Sequence, residues 1–303
     1  MAKIENNVDL KQYNTYRIGG KADYFVAAEN KQDLIDAFNF AKDKGIPYAT
    51  LGKGSNVVVS SEGFRGLVIV NKYKEVKIED HGIWVASGTS ISALTAFTKD
   101  KGLSGLEFLS GVPGSFGGAI IGNAGCFGGV LSDVILSVEF IGEDGKLTTL
   151  PKDKLGFSYR ESAFKKSIKG IITGANIKLR QLSPEKVDRK VSEILNQRKA
   201  KDPKGKTCGS FFKNIPEAKA TSKILGEIEV RGIDGNIPTG KLIDEAGCKG
   251  MKVGGAEVST YNAGFIINTG NASPEDIKTL AEEVKKRVFD RFGVELEEEV
   301  RYL

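Results

Sequence analysis

Residues 103 to 129 read LSGLEFLSGVPGSFGGAIIGNAGCFGG, and the fold follows from what such a stretch can be. Gly105, Gly111, Gly114, Gly117, Gly118, Gly122, Gly125, Gly128 and Gly129 alternate with Leu, Phe, Val and Ile. A flexible linker would be hydrophilic, so this one is expected to be a packed loop. Glycine lets the main chain take positive φ or lie directly against a ligand, at an entropic cost. Successive exposed N–H groups in such turns make concavities that suit a phosphate or pyrophosphate. A string of tight turns in an all-β protein is the competing reading.

A second glycine turn lies upstream. Alternation over Ala22–Val26 predicts a strand, and Asn30 caps a helix over Lys31–Lys44 that Gly45 terminates. Pro47–Leu51 is a second strand. It runs into Gly52-Lys53-Gly54-Ser55-Asn56 and the apolar Val57-Val58-Val59. Strand, glycine turn, strand is the order of neither the P-loop nor the dinucleotide fingerprint, both of which open a helix.

From Val76 the pattern becomes β: Val76–Ile78, Ile83–Ala86, then a helix over Ser92–Lys101 and a strand over Val134–Ile141. A hairpin turn at Gly142–Gly145 leads into Leu147–Leu150. A strand over Gly170–Leu179 closes this part. Pro184 opens a helix to about Lys201, the stretch 207–271 is irregular and turn-rich around an amphipathic Lys241–Ala246, and Pro274 opens a last helix to about Arg291.

The 303 residues allow two or three domains. Forty per cent hydrophobic and 27% charged residues are ordinary for a globular protein, whereas 37 glycines exceed the usual level of about 7%. No apolar run approaches the roughly 20 residues needed to span a bilayer, and no secretory pattern opens the chain, so a cytoplasmic protein with no membrane partner is expected. Cys126, Cys208 and Cys248 lack CxxC spacing, and His81 is the one histidine. Neither a disulfide framework, a metal site nor a Ser/His/Asp triad is indicated. The net charge of +5 comes from scattered Lys and Arg. Anionic small ligands suit it better than nucleic acid.

Seven stretches occur in order: NTYRIGG, GKGSNVVV, GVPGSFGGAIIGNAGCFGG, YRES, CGSFFKN, KLIDEAG and LEEEVRYL. Jointly they make the chain resemble the UDP-N-acetylenolpyruvoylglucosamine reductase (MurB) family, in its shorter type II form, over nearly its whole length. The resemblance implies an α+β protein with the two-domain FAD-binding fold of the vanillyl-alcohol-oxidase/PCMH type plus a C-terminal α/β substrate domain. By that reading residues 1–72 and 73–182 are FAD-binding subdomains, 183–292 the substrate domain, and 293–303 a segment returning to the active site. It further implies noncovalent FAD, NADPH as reductant, UDP-N-acetylenolpyruvoylglucosamine as substrate, and a monomer or dimer.

Carried over by position, Gly52, Lys53, Gly54, Ser55 and Asn56, with Pro113, Gly114, Ser115, Gly117, Gly118, Asn123, Ala124 and Gly125, are expected to hold FAD. Main-chain donors at close approach suit a pyrophosphate. Tyr16 is expected near the flavin or as a core aromatic. The family's reaction leaves negative charge on the substrate's α-carbon and carboxylate. Arg160 of YRES matches the cation that holds it, Ser210 of CGSFF the acid that protonates the α-carbon, and Glu299 the carboxylate that supports the enolic intermediate. Tyr159, Lys213 and Asn214 match substrate-side positions. Thr260-Tyr261-Asn262 departs from the family's commoner Lys-His, and Phe116 stands where smaller aliphatics are commoner. An FAD-linked oxidase of a hydroxy acid or sugar is the alternative on the same fold, although His81 lies outside both glycine loops and argues against a tethered flavin. A nucleotide-binding regulator without turnover is the other rival.

Overall fold

The computed structural model describes residues 3–228, 232 and 235–303. The chain packs as two compact units. One is made of the residues up to Val8 with Ala22–Lys53 and Arg65–Ala200, the other of Asp9–Lys21, Gly54–Phe64 and Lys201–Leu303.

The first unit is built on two sheets. In one, the strands Glu5–Asp9, Lys21–Ala28, Phe64–Asn71 and Tyr48–Leu51 lie in that order, and Tyr48 to Leu51 runs parallel to Leu67 to Val70. The Leu67–Val70 run is buried, as expected of a strand covered on both faces. Helix Lys31–Lys44 covers it. Asn30 caps the helix by accepting from the Asp33 N–H, Gly45 ends it at φ 63°, and Leu34, Ala37, Phe38 and Ala41 are buried against Val26, Leu67 and Ile69. The expected ends of this helix are the observed ones.

The second sheet is antiparallel, ordered Leu147–Pro151, Ile135–Gly142, Gly170–Ile177, Gly82–Ala86 and Val76–Glu79. Its core-facing Val85, Val138, Ala175 and Ile177 pack with Ile91 and Leu94 of helix Ile91–Asp100, and with Phe116 and Ile120. The stretch 103–129 is not loop throughout. Phe116–Ile121 forms a short helix, because Ser115 caps it and Phe116, Ala119 and Ile120 share a buried side. Helix Pro184–Lys199 also belongs to this unit, where Arg198 donates to the Ser110 carbonyl at 2.7 Å.

The second unit encloses its own core around Tyr16, Phe211, Phe212, Leu242, Leu280 and Val284. Within the stretch read as irregular, Lys252–Val253, Ala256–Val258 and Ile266–Asn268 form a small antiparallel sheet. These strands are two or three residues long, too short to show a period. Helix Pro274–Phe292 lies over them, started by a reciprocal capping box between Ser273 and Asp276 and ended by Gly293. Among the described residues, no helix is long and apolar enough to cross a membrane.

Candidate active site

In the first unit the two glycine stretches meet. A Cβ on Gly52 would lie 1.9 Å from Ser115 Oγ, so the turn after strand Tyr48–Leu51 backs directly on the start of helix Phe116–Ile121. That start is fixed from behind: Gly114 O accepts from Ile91 N at 3.1 Å, Phe116 N donates to Thr89 O at 2.9 Å, and Gly117 N to Ser87 O at 2.7 Å. The glycines therefore divide by cause. Gly117 must lack a side chain because Ser87 Cβ would be 2.9 Å away. Gly118 has no such reason. It is exposed, and the nearest atom to an added Cβ is Ser115 Oγ at 3.5 Å. A glycine inside a helix costs about 0.5–1 kcal/mol relative to alanine. The N–H groups of Phe116, Gly117 and Gly118 are taken by Thr89 O, Ser87 O and Ser115 Oγ, so what this open side beside Gly52, Gly114 and Ser115 offers is bare main chain, a space that a closely approaching pyrophosphate fits.

Downstream, Ala124 N donates to Ala119 O and Ala124 O accepts from Leu131 N, both at 2.9 Å, and Gly125–Cys126 pairs with Gly129–Val130. Asn123 is buried, with Nδ2 donating to Ser158 O at 2.9 Å and Oδ1 accepting from Ser132 N at 3.0 Å. Ser158 opens the YRES turn. Ser158 and Glu161 exchange N–H···O bonds of 3.1 Å in both directions, leaving Tyr159 and Arg160 at the tip. Arg160 has φ 56° in the second tip position, where a type II turn needs positive φ and usually takes glycine. A non-glycine residue there stores about 1–2 kcal/mol. Its guanidinium lies 5.3 Å from the Tyr159 ring centroid, its carbonyl accepts from Lys165 Nζ at 2.6 Å, and Nη1 would be 3.4 Å from a Cβ on Gly125. Strain of this kind collects at functional sites, and the amino-acid letters do not announce it.

The second unit gathers the remaining candidates. Gly54 sits at φ 58°, where a Cβ would fall 2.2 Å from Tyr13 O. Ser55 and Asn56 are half-buried, and Lys53, the last residue of the first unit before Gly54, is exposed. Asn56 Nδ2 donates to Glu299 O at 3.1 Å, and Asn56 O accepts from Arg301 N at 3.1 Å. Val57–Val58 then pairs in parallel with Arg301–Tyr302. Glu299 N donates to Phe211 O and Lys213 N to Glu297 O, each at 2.8 Å. Ser210 bridges Phe265 on its other side and is exposed. Thus CGSFFKN and EEEVRYL, remote in sequence, form one ladder that includes Glu299 and begins one residue after Ser210.

The acidic run is split by the strand alternation. Glu298 pairs with Lys285 at 2.6 Å, while Glu297 takes the buried Lys213 ammonium. The Thr239 hydroxyl binds Lys213 O, and Thr239 N donates to Asn214 Oδ1 at 3.2 Å. Tyr16 is fully buried and its hydroxyl donates to Ile266 O at 2.9 Å. Burial holds the Tyr16 phenol well above its ordinary range, with Cys208 adding to the effect. Burial likewise pushes the Cys208 thiol up to about 12, opposed by the Tyr16 hydroxyl and reinforced by Glu299.

The departure at Thr260-Tyr261-Asn262 has a local account. Ser259 Oγ accepts from Tyr261 N and Asn262 N at 3.2 Å, Asn262 Oδ1 accepts from Gly264 N at 3.1 Å, and Gly264 O accepts from Phe211 N at 2.9 Å. This loop therefore fixes the main chain next to Ser210. The Ser-x-x-Asn-x-Gly spacing, with its turn-forming side chains, is the signal that could have shown it.

The paired glycine loops on this scaffold define a class, the FAD-binding oxidoreductases. A family model described as FAD binding domain matches residues 22–151, and one described as UDP-N-acetylenolpyruvoylglucosamine reductase, C-terminal domain, matches residues 199–303. The reductase of that name from Clostridium novyi is 37% identical over 301 residues, 99% of this chain and 92% of the relative. That from Protochlamydia amoebophila is 38% identical over 302 residues, 99% of this chain and 94% of the relative. The crystal structure of the Thermus caldophilus enzyme superposes with a TM-score of 0.80 at 33% identity, covering 100% of this chain and 99% of that one. The chain belongs to the UDP-N-acetylenolpyruvoylglucosamine reductase family. It is an FAD-dependent oxidoreductase of peptidoglycan precursor synthesis, of mixed helices and sheets, with an FAD-binding domain and the C-terminal domain of that family.

Proposed function

We propose that the protein reduces UDP-N-acetylenolpyruvoylglucosamine to UDP-N-acetylmuramate with electrons from NADPH, in the cytoplasm. The observation that supports this is the ladder joining Phe211–Lys213 to Glu297–Glu299, which includes Glu299 and begins one residue after Ser210. When bound, FAD supplies a hydride to the enolpyruvyl β-carbon. The cradle at Gly52, Gly114, Ser115, Gly117 and Gly118 holds its pyrophosphate, with Lys53, Gly54, Ser55, Asn56, Pro113, Ala124 and Gly125 beside the cofactor. The buried Tyr16 acts from the protein side.

As the β-carbon gains hydrogen, charge moves to the α-carbon and carboxylate. Arg160 holds that carboxylate, and a fixed guanidinium is worth most where charge develops. Its conformation is set before substrate arrives, since the turn closes on itself. Ser210 gives its Oγ proton to the α-carbon, and Glu299 supports the enolic form. A serine hydroxyl is a weak acid, so its proton must be replaced as it leaves. Tyr159, Lys213 and Asn214 bind the UDP-sugar. In this scheme 1–72 and 73–182 serve FAD, 183–292 serve the sugar nucleotide, and 293–303 return Glu299 to the chemistry.

An anaerobic absorbance series tests the reading. Flavin bands that bleach with NADPH and return when the enolpyruvyl sugar is added establish both half-reactions. A colourless protein that FAD cannot reconstitute would overturn the cofactor assignment. Flavin that oxygen reoxidises while the sugar does not would favour an oxidase.

A further inference from the structure

The turn that carries Arg160 is tied to residues 121–125. Ser162 Oγ donates to Ile121 O at 2.8 Å, Asn123 Nδ2 donates to Ser158 O at 2.9 Å, and Gly125 leaves room where a Cβ would stand 3.4 Å from Arg160 Nη1. Gly125 could not yield that room cheaply, because the same Cβ would be 3.0 Å from Gly129 O. Asn123 is the centre of the arrangement. Its residue is 3% exposed, its own φ is 41°, and its Oδ1 accepts from Ser132 N, so the amide is clamped at one end and reaches the turn with the other. Donor and acceptor of the side chain thus both face protein groups.

We propose that Asn123 is a positioning residue for Arg160, acting on the reaction through the Ser158–Glu161 turn and not through the cofactor. The inference rests on the reading of Arg160 as the cation that holds the substrate carboxylate. Its physical basis is that a left-handed arginine is not the conformation its chain prefers. The turn's own pair of Ser158–Glu161 bonds closes it, and a buried, doubly bonded amide at its first carbonyl fixes it from outside. Lys165, donating to the Arg160 carbonyl, assists.

The test is a double-mutant cycle on the FAD-loaded protein, with Asn123→Ala, Arg160→Ala and both together. Asn123→Ala is expected to lower kcat/KM for the enolpyruvyl sugar by about tenfold to a hundredfold, the scale of a misplaced catalytic group. KM for the sugar rises and flavin reoxidation by the sugar slows, while bleaching by NADPH and FAD affinity stay within about twofold. In the Arg160→Ala background the same substitution should cost less than about threefold, because the group it positions is gone. An equal loss in both backgrounds, or a loss of FAD affinity that accounts for the defect, would overturn the proposal. Arg160→Ala turning over like wild type would instead overturn the reading of Arg160 itself. If Asn123→Ala does not fold, Asn123→Asp, which keeps the acceptor for Ser132 N and removes the donor to Ser158 O, carries the same comparison.

Discussion

Adding one methyl group at either of two adjacent glycines should have opposite effects on the apoprotein. In Gly118→Ala the new Cβ meets only Ser115 Oγ at 3.5 Å, an ordinary contact, on an exposed helical position. Removing a glycine from a helix recovers about 0.5–1 kcal/mol. For a protein of this size that raises Tm of the flavin-free protein by about 1–4 °C. In Gly117→Ala the Cβ lies 2.9 Å from Ser87 Cβ and 3.2 Å from Ser87 O, and Gly117 N is already bonded to that oxygen at 2.7 Å. The backbones must separate, at a cost of about 1–3 kcal/mol. For FAD the Gly118 substitution is unfavourable, because its methyl occupies the side proposed for the pyrophosphate. Losing that close approach to the bare main chain, at about 1.4 kcal/mol or more, weakens binding tenfold or more. Thermal unfolding of the stripped protein and a fluorescence titration with FAD measure the two quantities separately, which matters because bound ligand would raise Tm by mass action. Gly118→Ala with unchanged FAD affinity would refute the cradle, and a destabilised Gly118→Ala apoprotein would refute the packing argument beneath it.

Other consequences are simpler to state. Ser210→Ala should slow flavin reoxidation by the enolpyruvyl sugar by about 10²–10⁴-fold, the usual contribution of a general acid, with bleaching by NADPH preserved in stopped-flow traces. Glu107 is mostly buried, and although burial opposes it, Ser104 Oγ at 2.6 Å and Gly105 N at 2.7 Å hold its carboxyl below the ordinary range. A depressed carboxyl stabilises the fold above its unfolded pKa, so Glu107→Gln should cost about 1–2 kcal/mol at pH 7. The gap to wild type in urea unfolding should shrink as pH falls below about 4.3 and through the folded pKa; a constant gap would contradict the assignment. Cys208 and Cys248 are buried and both thiols are pushed up by burial, whereas Cys126 is half-buried with Arg198 Nη2 at 3.1 Å from its sulfur. Iodoacetamide at pH 8 should therefore modify Cys126 alone in the native protein, as read by peptide mass spectrometry.

What the sequence revealed depended on how local the cause was. Helix Lys31–Lys44 was legible to the residue because Asn30 and Gly45 are cap chemistry written next to the helix itself. The glycine stretch was legible as a place of close approach, yet Gly117 and Gly118 read alike. Only the packing of Ser87 tells a glycine the protein needs from one it leaves open. The helix Phe116–Ile121 was missed because two of its six residues are glycine, the poorest helix formers after proline. Arg160 was singled out by its motif, but its left-handed turn was not legible, since arginine carries no preference for it. The ladder from Phe211–Lys213 to Glu297–Glu299 was invisible for a different reason: its partners lie more than eighty residues apart and each run is too short to show alternation.

The second unit is assembled from three separated pieces of chain, and this gives the molecule an order of birth. Every residue of the first unit has been made once Ala200 has been added, but Tyr16, Ile18 and Val58, all in the core of the second, have by then been waiting for partners that lie beyond Lys201. At about 5–20 residues per second the roughly one hundred residues that complete them take on the order of 5–20 s to emerge. Val57–Val58 waits longest, because its partner strand is Arg301–Tyr302. In the cell that interval, and not the finished structure, is when this protein's apolar surface stands open to chaperones or to another nascent copy of itself.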